Sequence, residues 1–155
     1  MQEVEIEVLK DIFILKGEID KYYEEAPVTL WRAKKKNGNG SIFELIEKDK
    51  MLSNGRPRPS DVRIESRNGM GWVYCKPVPR GISTFDKSNI FKGKWEYYKI
   101  PQGTKLPLGL AIVKDKFNPR LKATHYTIAP ARDMPLDYFK QLLNELALSC
   151  RKEVT

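Results

Sequence analysis

Two segments with helical periodicity enclose a region of short, interrupted runs, and this order constrains the fold more than any other feature. Apolar residues recur at helical spacing over 9–23 and again over 133–150. In the second segment the apolar positions share one helix face: Leu136, Phe139, Leu142, Leu143 and Leu146. Proline and glycine repeatedly interrupt the region between the two segments, which favours short strands joined by turns. Because no regular βαβ alternation is present, the pattern predicts an α+β fold with mainly antiparallel sheets.

The intervening region also predicts individual strands, turns and one short helix. β-branched and aromatic residues predict strands at 28–34, 71–76, 95–100, 110–114 and 123–128, and acid–apolar alternation favours another at 3–8. Residues 83–85 suit either a strand or the start of a helix. Ser41 followed by Glu44 forms a capping box, which predicts a short helix. Turns or loops are expected at 36–40, 53–60 and 77–81.

Charge divides the chain into two parts of opposite sign. Residues 1–25 carry eight acids against three bases, a net charge of −5, and residues 26–155 carry 25 bases against 12 acids, or +13. We therefore expect an acidic N-terminal extension over 1–25 and one basic domain over 26–155. A basic body suits an anionic ligand, which leaves a dinucleotide, a nucleic acid and an acidic protein as alternatives.

The inventory of histidine and cysteine excludes some classes of site. His125 is the single histidine, and Cys75 and Cys150 are the two cysteines, so neither a His/Cys zinc site nor a dihistidine metal motif can form. We expect both thiols to be reduced. No apolar run approaches the ~20 residues needed to span a bilayer, and the first residues lack a basic region and a cleavage site. These patterns predict a cytoplasmic protein without membrane insertion or a secretory signal.

His125 lies in a run that predicts a strand, and its role has two interpretations. As a lone histidine it can only act with its neighbour Tyr126, with hydroxyls or with cations. The alternative is a half-buried histidine on a sheet, with one ring nitrogen bound to the backbone. Spacing alone favours this second interpretation, because histidine is commonly intermediate in burial.

Four sequence segments, in order, resemble a known family. The longest is 118–131 (NPRLKATHYTIAPA), and the others are 30–33 (LWRA), 81–86 (GISTFD) and 99–104 (KIPQGT). Together they resemble the Tse-class type VI secretion effector toxins, which have an ADP-ribosyltransferase-like fold. The resemblance covers roughly residues 28–148 and does not include the first 25. It implies split antiparallel sheets with flanking helices and NAD in the cleft between the sheets, with an extra N-terminal helix on this chain.

The resemblance implies NAD-binding roles for several residues. Arg32 corresponds to an arginine on the first strand of the transferase fold and suits a phosphate or ribose hydroxyls. Ser83, Thr84 and Phe85 correspond to the second motif, in which the serine supports the cleft wall and the aromatic faces nicotinamide. Arg58 corresponds to a loop arginine that contacts phosphate. The alternatives are a solvated edge arginine at Arg32 and a helix cap at Ser83–Thr84.

The catalytic assignment is less direct, because the family glutamate is displaced. Transferases place a glutamate before the Pro-x-Gly-Thr turn, and Glu96 stands one residue away from that register. Such a shift turns a side chain to the opposite face of a strand unless a bulge restores it. The candidate catalytic residues are therefore Glu96, Ser83 and His125, and Tyr126 is a further candidate for NAD binding.

The function implied by the resemblance is that of a cytotoxic effector. It would use NAD as an ADP-ribosyltransferase or NAD glycohydrolase in the cytosol of an attacked cell. Its expected partners are a cognate immunity protein, the type VI secretion machinery or an adaptor, and a target macromolecule. The ADP-ribose acceptor stays open between protein, nucleic acid, small molecule and water. The alternatives are a basic nucleic-acid-binding protein and a catalytically inactive ligand-binding protein.

Overall fold

The strands of the chain pair in an antiparallel manner throughout the part that the structure, a computed structural model, describes: residues 7–36, 40–76 and 78–153. They form a seven-stranded sheet, a three-stranded sheet and a two-stranded hairpin. Two α-helices accompany the sheets. The predicted α+β architecture with antiparallel sheets is confirmed.

The elements follow one another in a simple order. The helices are α1 (Leu9–Leu15) and α2 (Leu136–Ala147), with a 3-10 turn at Ile19–Lys21. The strands are β1 (Tyr22–Tyr23), β2 (Leu30–Lys35), β3 (Lys50–Met51), β4 (Pro57–Arg58), β5 (Arg63–Arg67), β6 (Met70–Tyr74), β7 (Ile82–Phe85), β8 (Trp95–Ile100), β9 (Leu110–Asn118), β10 (Ala123–Pro130), β11 (Met134–Pro135) and β12 (Arg151–Lys152). The large sheet has the order β1-β9-β10-β7-β2-β8-β12, the smaller sheet β11-β6-β5, and β3 pairs with β4.

Hydrophobic residues cover both faces of the large sheet. On one face Leu30, Ile112 and Ile128 belong to the main core, which also contains Val73 of β6 and the buried side of α2. On the other face Ala111, Val113 and Ala129 contact Leu9 and Phe13 of α1. The alternation follows from the two-residue period of a strand, which sends neighbouring side chains to opposite faces.

The N-terminal helix is shorter than predicted. It ends at Leu15, and a Schellman motif closes it: Glu18 N–H donates to the Phe13 carbonyl at 2.8 Å and Gly17 N–H donates to the Ile14 carbonyl at 3.1 Å. Gly17 has φ +68°, a conformation that favours glycine. The prediction of a helix to residue 23 is therefore wrong, and β1 pairs with β9 instead.

The closing helix starts later than predicted, although its apolar face is confirmed. It begins at Leu136, after Pro135, and buries Phe139, Leu142, Leu143 and Leu146. The predicted start at Asp133 is wrong because that carboxylate has other partners. It accepts the backbone N–H of Cys75 at 3.1 Å and that of Glu7 at 3.3 Å. Cys75 and Cys150 are both free, as expected, and burial raises the pKa of each thiol to about 12.

The capping box at Ser41 does not start a helix. Ser41 Oγ accepts the Phe43 N–H at 3.2 Å, but the residues that follow form no helix. Ile46 and Asp61 instead join through two bonds of 2.7 Å, one to the Asp61 carboxylate and one from the Asp61 N–H. This tertiary pairing outweighs the local preference for a helix.

One hairpin was missed although the sequence contains its signal. Strands β5 and β6 are joined by Asn68–Gly69, with φ of 53° and 77°. Asn-Gly between two runs is a strong indication of a two-residue hairpin turn. The residue pattern predicts a strand only at 71–76, which corresponds to β6, and does not predict β5.

The remaining strand predictions agree with the structure to within a few residues. Residues 95–100 match β8, while β9 and β10 continue beyond their predicted ends to Asn118 and Pro130. Residues 83–85 lie in β7, so the helix-cap alternative for Ser83–Thr84 is wrong. The predicted loop at 53–60 includes β4. Most of the predicted strand at 3–8, residues 37–39 of one turn and residue 77 of another lie outside the described residues.

Gly81 should be indispensable for the packing of β7 against β10. A Cβ at this position would overlap the Ile128 carbonyl oxygen and lie 3.1 Å from the Ala129 Cα, both of which are backbone atoms. We expect Gly81→Ala to lower the free energy of unfolding by at least about 2 kcal/mol, measured by urea denaturation. Gly71→Ala is the matched control, since its Cβ would meet nothing closer than 3.8 Å. Equal stability of the two variants would contradict this close approach.

Candidate functional site

Strands β2 and β7 separate almost as soon as they meet, and Arg32 lies in the opening. Their register has the single pair Trp31–Phe85. The Arg32 side chain then donates from Nε to the Ile42 carbonyl at 3.0 Å and from Nη1 to the Ser83 carbonyl at 3.0 Å. The guanidinium therefore bridges the two sides of the opening, where ladder hydrogen bonds are missing.

A cavity of about 320 Å³ occupies this opening. It is lined by Arg32, Ala33, Arg58, Ser83, Phe85, Phe91 and Trp95. A second cavity, of about 640 Å³, shares Arg32, Ala33 and Trp95 with it. Phe85 contacts Phe91 edge-on at 5.8 Å between ring centroids, and Phe91 contacts Trp95 at 5.3 Å. Four predicted binding residues, Arg32, Arg58, Ser83 and Phe85, thus lie together; we call this the β2–β7 cleft.

The β2–β7 cleft is electrostatically suited to an anion. Burial lowers the pKa of the Arg32 guanidinium, Asp61 opposes that shift, and Arg58 adds to it. Arg58 lies 3.5 Å from the Asp61 carboxylate and donates to the Pro59 carbonyl at 3.1 Å. Two guanidinium groups thus share one nearby carboxylate, which leaves positive charge available for a phosphate.

Thr84 and Tyr126, two other predicted binding residues, lie in the core. Thr84 is fully buried, and its hydroxyl donates to the Tyr126 carbonyl at 2.9 Å. Tyr126 is 5% exposed, and burial raises the pKa of its phenol. Neither side chain lines the β2–β7 cleft. Their position holds β7 against β10 and so supports the wall on which Ser83 and Phe85 lie.

Glu96 is turned away from the β2–β7 cleft. The pairing of β2 with β8 is continuous, so no bulge changes the register at Glu96. Its carboxylate accepts a hydrogen bond from Lys152 of β12 at 3.2 Å and one from Tyr98 at 3.1 Å. The bond from Lys152 lowers its pKa. Strand β12 lies on the side of β8 opposite to β2, and a catalytic role for Glu96 stays a prediction.

His125 contacts an aspartate that sequence analysis did not single out. Its Nδ1 lies 2.6 Å from Asp115 Oδ2, and Thr127 donates its hydroxyl to the same oxygen at 2.5 Å. The β9–β10 register shifts between Thr124 and Tyr126, so Asp115 and Lys116 both face His125. A bulge redirects side chains in this way, but no sequence signal marks it. Asp115 could therefore not be predicted.

The His125 ring also contacts Phe85, which connects two cavities. The ring centroids are 5.0 Å apart in an edge-on arrangement. His125 and Asp115 line a cavity of about 720 Å³, which we call the His125 cavity. Phe85 lines both this cavity and the β2–β7 cleft, so His125 lies next to the cleft rather than inside it.

Two kinds of structure are absent from the described residues. No three His, Cys, Asp or Glu side chains in 7–36, 40–76 and 78–153 converge to hold a metal ion. Within the same ranges, no helix is long and apolar enough to cross a bilayer.

The bridge at Arg32 should contribute to stability as well as to binding. Removing the guanidinium leaves the part-buried Ile42 carbonyl without its donor, at a cost of about 1–3 kcal/mol, whereas water can replace the donor at the exposed Ser83 carbonyl. We expect Arg32→Ala to lower the free energy of unfolding by about 1–3 kcal/mol, measured by urea denaturation. Arg58→Ala is the control and should lose less than about 1 kcal/mol, because the Arg58 side chain is 41% exposed and its contact with the Asp61 carboxylate is long, at 3.5 Å. Similar losses in both variants would show that the bridge contributes little.

Comparisons with known proteins place the chain in a family. The family described as Tse2 ADP-ribosyltransferase toxin matches residues 10–154. This match starts before the predicted limit at residue 28 and includes most of the acidic N-terminal segment. A curated relative, Toxin Tse2 of Pseudomonas aeruginosa, is 31% identical over 143 residues, covering 80% of this chain and 86% of the relative. The chain therefore belongs to the Tse2 ADP-ribosyltransferase toxin family.

Proposed function

We propose that this chain is a cytotoxic effector that consumes NAD, with the β2–β7 cleft as its NAD-binding site. The observation that carries the proposal is the half-buried guanidinium of Arg32 between two separating strands, with Arg58, Ser83 and Phe85 around it. Family membership supports the same substrate, since ADP-ribosyltransferases act on NAD. The β2–β7 opening divides the seven-stranded sheet into β1-β9-β10-β7 and β2-β8-β12, and these two halves are, in this proposal, the two sheets of the transferase core.

The residues in the β2–β7 cleft fit the parts of NAD. Arg32 and Arg58 supply planar, charged donors for the pyrophosphate. The edge and face of Phe85 suit the nicotinamide ring, and the exposed Ser83 hydroxyl suits a ribose or amide contact. The two connected cavities, of about 320 and 640 Å³, lie in the range of sites for ligands of this size.

NAD supplies the bond between nicotinamide and ribose, which breaks through a cationic, oxocarbenium-like state. The protein residues contribute binding, orientation and exclusion of water. Of the candidate acid–base residues, His125 fits the reaction better than Glu96. Its ring contacts Phe85, whereas the Glu96 carboxylate is bound to Lys152 and Tyr98. Thr84 and Tyr126 act in this proposal by positioning β7.

In this proposal the biological setting is that of a delivered toxin, which family membership supports. The toxin acts in the cytosol of an attacked cell, reaches it through the type VI secretion machinery or an adaptor, and modifies a target macromolecule there. A cognate immunity protein neutralises it, and acidic groups on that partner suit the positive β2–β7 cleft. The name of the Pseudomonas aeruginosa relative, Toxin Tse2, supports a toxic role.

The nucleic-acid-binding alternative is less well supported. The arginine and aromatic side chains on β5 and β6 already stack on one another: Arg67 lies 4.3 Å from the Trp72 ring, and Arg63 lies 4.9 Å from the Tyr74 ring. Such stacking covers the aromatic faces on which bases would otherwise lie. A catalytically inactive binding protein is the remaining alternative, and the following measurement separates it from an enzyme.

Expression in a bacterial cytosol should arrest growth and deplete NAD. Ser83→Ala removes a hydroxyl from the β2–β7 cleft without changing the backbone, and His125→Ala removes the imidazole. We expect each to reduce the rate of NAD loss by at least about tenfold while the melting temperature changes little. Ser66→Ala is the matched control, since Ser66 is an exposed serine on β5. Growth arrest with constant NAD in all forms would contradict bulk consumption of NAD and leave a low-turnover modification of a target, and arrest in no form would contradict the toxin assignment.

The N-terminal segment is proposed to be a lid or a docking surface for the delivery adaptor or immunity protein. Leu15 at the end of α1 is 86% exposed in an acidic segment, which suits a partner with apolar and basic groups. We expect Leu15→Lys to weaken loading or immunity binding by about tenfold or more, measured by co-purification and calorimetry. Leu148→Lys is the control, because Leu148 is 87% exposed near α2. Unchanged binding by Leu15→Lys would contradict docking at α1.

A further inference from the structure

The His125 cavity is chemically distinct from the β2–β7 cleft, although the two meet at Phe85. We infer that the His125 cavity is the acceptor site of the toxin, that it binds a hydroxyl compound carrying a phosphate, and that Asp115 positions His125 as the base. This inference rests on the proposed NAD-dependent function, and it names the class of acceptor and the residues that receive it.

The contact between Asp115 and His125 determines which ring nitrogen is basic. A carboxylate can only accept hydrogen bonds, so the 2.6 Å contact requires a proton on Nδ1 of His125. In a neutral imidazole the lone pair is then on Nε2. The Thr127 hydroxyl donates to the same Asp115 oxygen at 2.5 Å and helps to hold the carboxylate in place. A base held in this way by a third group is the arrangement expected of proton-transfer catalysis.

The backbone bulge at Asp115 explains how this arrangement arises. In an uninterrupted ladder one residue of β9 would face His125, but two residues face it here. The burial of β9 also changes close to the bulge: the first four residues of the strand are buried, and those from Lys114 onward are mostly exposed. Bulges next to functional sites commonly redirect one side chain, and this one places a carboxylate against the single histidine of the chain.

The charge around the His125 cavity indicates an anionic acceptor. Its lining includes four lysines against two acids: Lys16, Lys21, Lys114 and Lys116, with Glu18 and Asp115. Lys21 is paired with Glu18 at 2.8 Å. In the part of the chain that the structure describes, no carboxylate lies within ion-pair distance of Lys16, Lys114 or Lys116. Lysine ammonium groups are suited to binding phosphate as point charges.

The position of Phe85 connects the acceptor to the donor. The aromatic ring proposed to face nicotinamide is the ring that His125 contacts at 5.0 Å. In the transfer step, the acceptor hydroxyl gives its proton to Nε2 of His125, and its oxygen forms a bond to the anomeric carbon of ADP-ribose. The bond from that carbon to nicotinamide breaks, and neutral nicotinamide leaves with the electron pair. Atoms and charge balance without a further reactant.

The single histidine allows a test that does not depend on turnover. With ¹⁵N-labelled histidine, the NMR spectrum of the full chain contains one imidazole, and its nitrogen shifts report the tautomer. We expect the Nδ1–H tautomer in the wild type and a mixture of tautomers in Asp115→Asn. Glycerol 3-phosphate, used as the probe, should shift the Nε2 signal in a saturable manner, whereas glycerol should not.

Charge reversal of the cavity rim identifies the phosphate contact. The double change Lys114→Glu, Lys116→Glu should weaken binding of glycerol 3-phosphate by at least about tenfold. Lys105→Glu is the matched control, because Lys105 is an exposed lysine in a different cavity. The acceptor site would be overturned if the imidazole signal did not shift or if glycerol shifted it equally. It would also be overturned if the double lysine variant and Lys105→Glu weakened binding equally. Saturable binding of a short 5′-phosphorylated RNA in place of the small probe would support the same chemistry at a nucleic-acid end.

Nicotinamide release from NAD, measured in parallel, separates this inference from the proposed function. Asp115→Asn should lower kcat by about 10–100-fold and leave the KM for NAD unchanged, because Asp115 does not line the β2–β7 cleft. An unchanged kcat, or a loss explained by a lower melting temperature, would overturn the positioning role. If the wild type binds glycerol 3-phosphate at His125 and releases no nicotinamide, the proposed function fails while the anion site stands.

Discussion

Where β2 and β7 separate after the Trp31–Phe85 pair, one guanidinium spans the opening by donating to carbonyl oxygens on both sides. Arg32 thereby resolves a conflict between stability and function. A sheet opened to admit a ligand leaves backbone acceptors without partners, which is costly in a buried setting. A long, charged side chain satisfies those acceptors and still retains donors that face the cavity. The proposed NAD site depends on this bridge, because Arg32 both satisfies the carbonyl oxygens beside the opening and lines the cavity within it.

Phe85 lies on β7, across the β2–β7 cleft from Arg32 on β2. Among the residues that the structure describes, Phe85 alone lines both the β2–β7 cleft and the His125 cavity. The preceding residue of the same strand, Thr84, is fully buried. The rigidity of this wall comes from the core side of β7, through the Thr84 bond to the Tyr126 carbonyl. Of the predicted binding residues on β7 and β10, Ser83 and Phe85 therefore face the cleft, whereas Thr84 and Tyr126 hold its wall in shape.

Features that depend on the local sequence pattern were predicted correctly. Features that depend on tertiary contacts were not. The apolar face of α2 and the limits of β8 follow from periodicity and residue type, and both were predicted. Gly17 and Asn68–Gly69 are signals that were present and not used. By contrast, Asp133 suits a helix cap locally, but its carboxylate is bound to Cys75 and Glu7 across the fold. No local pattern contains the bulge that brings Asp115 to His125, so half of the proposed acid–base pair was invisible before the structure. The resemblance to the toxin family identified Arg32 and Ser83 as candidate site residues. Charge and periodicity alone would not have distinguished them from ordinary surface residues.

The two edges of the large sheet are covered by strands of only two residues. Strand β1 lies against β9 near one end of the described chain, and β12 lies against β8 near the other. Unpaired edges of long strands are templates for pairing between molecules. Removal of β1 or β12 would thus expose the edge of β9 or β8, where another molecule could pair and start aggregation. The terminal segments therefore protect the protein against aggregation in addition to any contacts with partners. Fusion of a carrier to either terminus is compatible with the fold only if the short edge strand next to it stays in register.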